Sequence, residues 1–196
     1  AEEALARSLN IPAVQLLRDY GIAPFYSFLK KTGMHTLTHN PDYYGLSLIL
    51  GGAEISPWIL TGMYNSLGAI LKDYSEKDGF YTSNPFKELI WIEEPEVTNK
   101  QKQAAQPVVR AASIFSTLNT LLKVKRPESE TGWQEFAESK KIAWKTGTSF
   151  GFRDAWAVGL NSEYVVCVWV GNADGEGRTG LTGVTAAAPV MFDVFS

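Results

Sequence analysis

The chain has 196 residues, 45% hydrophobic and 20% charged, a balance that sets aside the disordered class and suits one domain of ordinary size. Its net charge of -3, with no Lys/Arg cluster, leaves no footprint for nucleic acid and no polybasic partner for an anionic membrane surface. No apolar run is long enough to span a bilayer, and "AEEALARSLN" lacks the layout of a signal peptide.

The first half reads as helical. "NIPAVQLLRDYG" spaces Val14 and Leu17 on a helical period and stops at Gly21. "APFYSFLKKTG" repeats the pattern, with Phe25, Phe28 and Leu29 on one face, Lys30 and Lys31 in the last turn, and Gly33 after it. "MHTLTHNPD" reads as a loop ending at Pro41. His35 and His39 are four apart within it, but no third ligand stands nearby, so no metal site is expected. "SPWILTGMYNSLGAIL" opens with Ser56 as N-cap and Pro57 at the first helical position.

A polar stretch follows, then "ELIWI", a short apolar run read as a strand. Glu93 and Glu94 after it would face opposite sides of a strand and make no paired-carboxylate site. Residues 107–122 give another helix, and "KVKRPESETGWQEFAESKK" a charged connector.

The period then changes. "KIAWKTGT", "DAWAVGLN" and "EYVVCVWVGN" are three short Val-, Trp- and Tyr-rich runs separated by hairpin-length loops, an antiparallel meander. Cys167 lies in the last run, alone and so without an internal disulfide, as a small apolar packing residue. "AAAPVMFDVF" closes the chain as a helix. Helices followed by a hairpin sheet predict an α+β domain, mainly helical over 1–125, with sheet and closing helix over 140–196.

The chemistry-bearing candidates lie at the two ends. Lys145, Thr146, Gly147 and Thr148 fall in the first strand of the meander. At a cleft edge, Gly147 lets an extended peptide lie against the backbone. The Thr146 and Thr148 hydroxyls are suited to a carboxylate, Lys145 supplies positive field, and the Thr148 N–H can face a developing oxyanion. The plain alternative is a surface strand with ordinary polar residues. Near the start, Ser8 and Asn10 precede a helix and read either as N-caps or as a proton relay and an orienting amide. "NADGEGRTG" holds Asp174 and Glu176 without the alternating ligands of a calcium loop.

Ser-Leu-Asn far upstream of Lys-Thr-Gly-Thr resembles the penicillin-recognising serine transpeptidases, whose motifs include Lys-Thr-Gly. "LGGAEISPWILTGMYNSL", "AWKTGTSFGFRDAWAVG", "VWVGNADGEG" and "TGVTAAAPVMFDVF" extend the resemblance, along nearly the whole chain, to the transpeptidase region of class A penicillin-binding proteins. It implies a partial serine-transpeptidase fold, related to that of β-lactamases, without a cofactor. It also implies that Ser8, Asn10 and Lys145 serve catalysis, and that Thr146, Gly147 and Thr148 hold a peptidoglycan stem peptide or a β-lactam. The envelope location implied is the extracytoplasmic face of the inner membrane, with the anchor outside this stretch.

One feature departs from the family pattern. Its nucleophile and base come from a Ser-x-x-Lys ahead of Ser-x-Asn, whereas the Ser-x-x-Lys here, Ser27 to Lys30, falls after it on an amphipathic helix. The expectation is therefore a fragment cut upstream of its second motif and inert alone, with 164–171 an exposed edge that favours self-association. The rival expectation is a non-catalytic peptide-binding or scaffold domain.

Overall fold

The computed structural model describes residues 1–77, 79, 81, 86, 88–90, 107–127 and 141–196. Helix α1 (Glu2–Ala6) ends in a left-handed turn at Ser8 and leads into α2 (Asn10–Tyr20). Gly21, at φ 98°, stops α2 as its position predicts, and α3 (Ile22–Lys31) follows. Leu17, Met34, Leu37, Tyr44 and Leu48 form the core of this region.

Asn40 caps α4 (Pro41–Tyr44) by accepting from the Tyr43 N–H at 3.0 Å. A 3-10 turn, Gly45–Leu50, then precedes α5 (Pro57–Glu76). Ser56 caps α5 as expected, its hydroxyl accepting from the Ile59 N–H at 3.2 Å. Helix α6 is Ala111–Leu121, shorter at its start than the predicted span, because Arg110 is extended at ψ 140° and takes the N-cap position. The strand read in "ELIWI" is not formed at Glu88, Leu89 and Ile90; Trp91, Ile92, Glu93 and Glu94 lie outside the described residues.

The meander forms as read: β1 (Ala143–Thr148), β2 (Asp154–Leu160) and β3 (Val165–Gly171), antiparallel and in the order β1-β2-β3. Alternation then sorts the side chains onto two faces. Trp144, Ala155 and Ala157 face α7 (Ala188–Phe195) and pack with Met191, Phe192 and Phe195. The Trp144 ring meets Phe192 edge-on at 5.0 Å. On the other face, Ala143, Leu160 and Val165 meet Tyr64 of α5 and Leu118 of α6. The sheet is thus sandwiched between helices, an α+β arrangement. A single π-helical turn, Gly183–Ala187, enters α7; the sequence reading has no counterpart for it or for α1.

Ladder alternation also settles which backbone groups are free. The Ser149 N–H donates to the Asp154 carbonyl at 3.0 Å. In an antiparallel pair hydrogen-bonded positions alternate, so Gly147 pairs with Trp156 and Lys145 with Val158 through the ladder. Thr146 and Thr148 therefore turn their N–H and C=O outward along the β1 edge. The same logic starts from the Asn161 N–H on the Tyr164 carbonyl at 3.0 Å and turns Val165, Cys167 and Trp169 outward along the β3 edge.

Candidate active site

The β1 edge gathers Lys145, Thr146, Gly147 and Thr148 within one strand. Lys145 is half-buried; its Nζ donates to the Thr146 carbonyl at 2.9 Å, one of the outward backbone groups. Among the described residues no carboxylate stands within ion-pair distance of it, and burial lowers its pKa from the ordinary 10.5. A desolvated ammonium without an anionic partner is a place where a ligand carboxylate would be favoured.

Gly147 is exposed, and among the described residues a Cβ placed on it would meet only Trp156, at 3.6 Å and 4.0 Å, ordinary contact. Neither packing nor a left-handed backbone requires glycine here. What remains as a reason for it is the approach of something from outside. Gly183 is the opposite case: a Cβ there would lie 2.4 Å from the Trp156 carbonyl oxygen and 2.6 Å from that of Gly147. Its N–H donates to the Thr148 hydroxyl at 3.0 Å. The π-helical turn therefore sits directly on β1 and fixes the Thr148 side chain on the α7 face, with Thr146 beside it and Lys145 on the other face.

Ser8 and Asn10 lie at the α1–α2 junction, both exposed. Neither is an N-cap: that position is Leu9, without a side-chain hydrogen bond. Ser8 instead holds φ 55°. Its N–H donates to Leu5 at 3.1 Å and the Leu9 N–H to Ala4 at 2.9 Å, the pair of bonds that closes a Schellman turn. Glycine is the usual occupant, because an L side chain costs about 1 kcal/mol there. The serine hydroxyl makes no hydrogen bond among the described residues, so local structure gives no reason for it.

No hydrogen bond joins Ser8 or Asn10 to Lys145 among the described residues. Their elements are nonetheless tied to one short segment: Lys123 pairs with Glu2 of α1, and the Trp144 indole of β1 donates to the Val124 carbonyl at 3.3 Å.

The other candidates separate from this edge. Ser27 is exposed on α3, and Lys30 extends its ammonium over the Tyr26 ring at 5.4 Å. His35 approaches Glu88 at 3.8 Å while His39 stacks on Tyr43 at 4.0 Å, so the two imidazoles diverge. A cavity of about 900 Å³ lies at the opposite end of the sheet, bordered by Asn65, Leu118, Ala143, Leu160 and Tyr164, and includes none of Lys145, Thr146, Gly147 and Thr148. Cys167 is half-buried against α5; burial raises its thiol pKa, and a hydrogen bond with Thr61 opposes that rise. Asp174 holds the Glu176 N–H at 2.9 Å within its own loop.

The fold is similar to part of the penicillin-binding proteins of known structure. The structure superposes on penicillin-binding protein 1A from Haemophilus influenzae with a TM-score of 0.62 at 21% identity, covering 93% of this chain and 32% of that one. It superposes on an imipenem acyl-enzyme complex of penicillin-binding protein A from M. tuberculosis with a TM-score of 0.60 at 18% identity, covering 96% of this chain and 45% of that one.

In sequence, the relatives are class A penicillin-binding proteins, as the motifs imply. Penicillin-binding protein 1C of Escherichia coli (strain K12), the type that "WKTGTSFGFRDAW" resembles, is 31% identical over 98% of this chain. Penicillin-binding protein 1B of Haemophilus influenzae is 28% identical over 97%. The chain spans about a fifth of these relatives' length, 22% and 23% respectively. No family model matches it.

Proposed function

We propose that this chain is the substrate-binding part of a peptidoglycan D,D-transpeptidase. The observation that carries the reading is the open β1 edge, where nothing among the described residues requires Gly147 to be a glycine. A stem peptide ending in D-Ala-D-Ala lies along that edge, its terminal carboxylate on the Thr146 and Thr148 hydroxyls in the field of Lys145. The scissile carbonyl points at the outward N–H of Thr148, which stabilises the oxyanion.

The reaction needs a serine that this chain does not supply in the matching place. That serine oxygen bonds to the penultimate D-Ala carbonyl carbon. The amide C–N bond breaks, and the serine proton leaves with the terminal D-Ala amine through Ser8. Asn10 orients the base and the substrate, and Lys145 supports Ser8 electrostatically. An acceptor amine then attacks the ester, the new amide forms, and the serine recovers its proton. β-Lactams occupy the same edge as mimics of the donor. The parent works in the cell envelope, on the extracytoplasmic side of the inner membrane.

Alone, the 196 residues bind without turning over, since nucleophile and base must share one site. Fluorescent penicillin should leave no covalent label on the chain, while a longer protein carrying the upstream Ser-x-x-Lys should be labelled; an adduct on Ser27 defeats this.

The binding reading has its own test in Gly147→Ala. The added methyl fits the free protein, so thermal stability should hold, while the line shifts that an acetylated D-Ala-D-Ala peptide produces in NMR should vanish. Unchanged shifts in the variant would end the reading. The β3 edge, apolar and outward-facing, also pairs with a second copy of the chain.

A further inference from the structure

Phe150 is 97% exposed. A Phe side chain left in water forgoes roughly 1.5–3 kcal/mol of burial, which a ligand packing on it recovers in part. The element is ordered. Ser149 to Phe152 form a tight turn in which the Phe152 N–H donates to the Ser149 carbonyl at 3.2 Å, with Gly151 at φ 76° in the third position. The Asp154 N–H donates to the Ser149 hydroxyl at 2.8 Å.

A second loop braces the turn from behind. The Arg178 N–H donates to the Phe152 carbonyl at 3.0 Å. Gly177 sits so close that a Cβ would lie 2.1 Å from the Gly151 oxygen. Phe152 is itself held at φ 57°, a left-handed conformation that is costly for an aromatic residue. The turn thus projects one apolar ring at a defined place, two residues past Thr148 and no more than about 7 Å along the chain.

We infer that Phe150 is a specificity-determining residue: it packs against the aliphatic part of the side chain of the donor residue immediately preceding D-Ala-D-Ala, and favours a long side chain there over a short one. This rests on the binding reading above. With the carboxylate over Thr146 and Thr148 and the scissile carbonyl at the Thr148 N–H, the donor runs antiparallel to β1. Its upstream residue is then carried past Thr148 to the turn tip. The contact adds selectivity at that position without touching the reacting bond.

Two acetylated tripeptides, norleucyl-D-Ala-D-Ala and glycyl-D-Ala-D-Ala, are titrated by NMR into the 196-residue chain, Phe150→Ala and Phe150→Trp. The ring buries nothing in the free protein, so circular dichroism should show all three folded alike. The wild-type chain should prefer the norleucine peptide by about fivefold, as expected for partial burial of a four-carbon side chain. Phe150→Ala should bring the ratio near one while the glycine peptide binds as before, and Phe150→Trp should keep the preference. A preference unchanged in Phe150→Ala, or both peptides weakened equally, overturns the inference and leaves the site standing. If the wild-type chain binds neither peptide, the site reading falls and the inference with it.

Discussion

The sheet has two open edges among the described residues, and they differ in chemistry. Along β1 the outward backbone belongs to two threonines flanking an exposed glycine, with one desolvated lysine adjacent. Along β3 it belongs to Val165, Cys167 and Trp169, half-buried or exposed between α5 and α7. Both offer unpaired N–H and C=O groups to an added strand. A polar edge with a glycine suits a short ligand that arrives and leaves, because its own groups remain hydrated between visits. An apolar edge suits a lasting partner, since water serves it poorly.

The largest effect on this contrast should come from Gly183→Ala. Its methyl has no room against the Trp156 and Gly147 carbonyls, and overpacking of this kind costs about 1–3 kcal/mol. Urea denaturation should report that loss, and D-Ala-D-Ala peptide binding at β1 should fall with it. Association through β3 should persist at concentrations where the variant stays folded. If peptide binding survives the substitution, the π-helical turn does not hold the β1 edge.

Cys167→Pro sharpens the other side. The Cys167 N–H points outward, so proline removes no bond to β2 but blocks strand addition, at the cost of the thiol's hydrogen bond with Thr61. Sedimentation should show the wild-type chain self-associated and this variant monomeric. A wild-type monomer would mean that the β3 edge is not adhesive.

Ser8→Gly should raise stability by about 1 kcal/mol in the same urea assay, because glycine takes φ 55° without strain. In a longer protein with its nucleophile, the same change should slow acylation. Greater stability with undiminished acylation would remove Ser8 from the chemistry.

The smallest effect concerns Lys145. Its folded-state pKa is depressed below 10.5, so between the two values the unfolded chain binds more protons, and stability rises with pH through that window. Below it the buried charge is a standing cost. Lys145→Met should therefore gain over the wild type near neutral pH, with the gain shrinking as pH approaches 10.5. A difference that does not vary with pH would place the ammonium in full solvent.

Much of this contrast is legible in the residues. The period of two in "AWKTGT" and "YVVCVWV" marks the strands, and the polar or apolar character of each run marks its edge. Ser8 is the instructive failure. As a letter before a helix it reads as a cap, whereas its role at φ 55° depends on the Schellman turn that ends α1, a five-residue helix too short for pattern to reveal. "ELIWI" is harder to read for a related reason: a short apolar run has no period to separate strand from coil, and its described residues, Glu88 to Ile90, form no strand.

By itself, then, the order of residues determined the helices stopped by Gly21 and Gly33, the cap at Ser56, the meander and the motif on its first strand. These depend on local φ preference and on side-chain alternation, which neighbouring residues settle among themselves. Only the tertiary structure decided which threonine groups face outward, that Gly183 presses on β1, that Lys145 is desolvated with no acid beside it among the described residues, and that Phe150 stands in solvent. Each of those is set by packing and ladder register rather than by any preference of the residue itself.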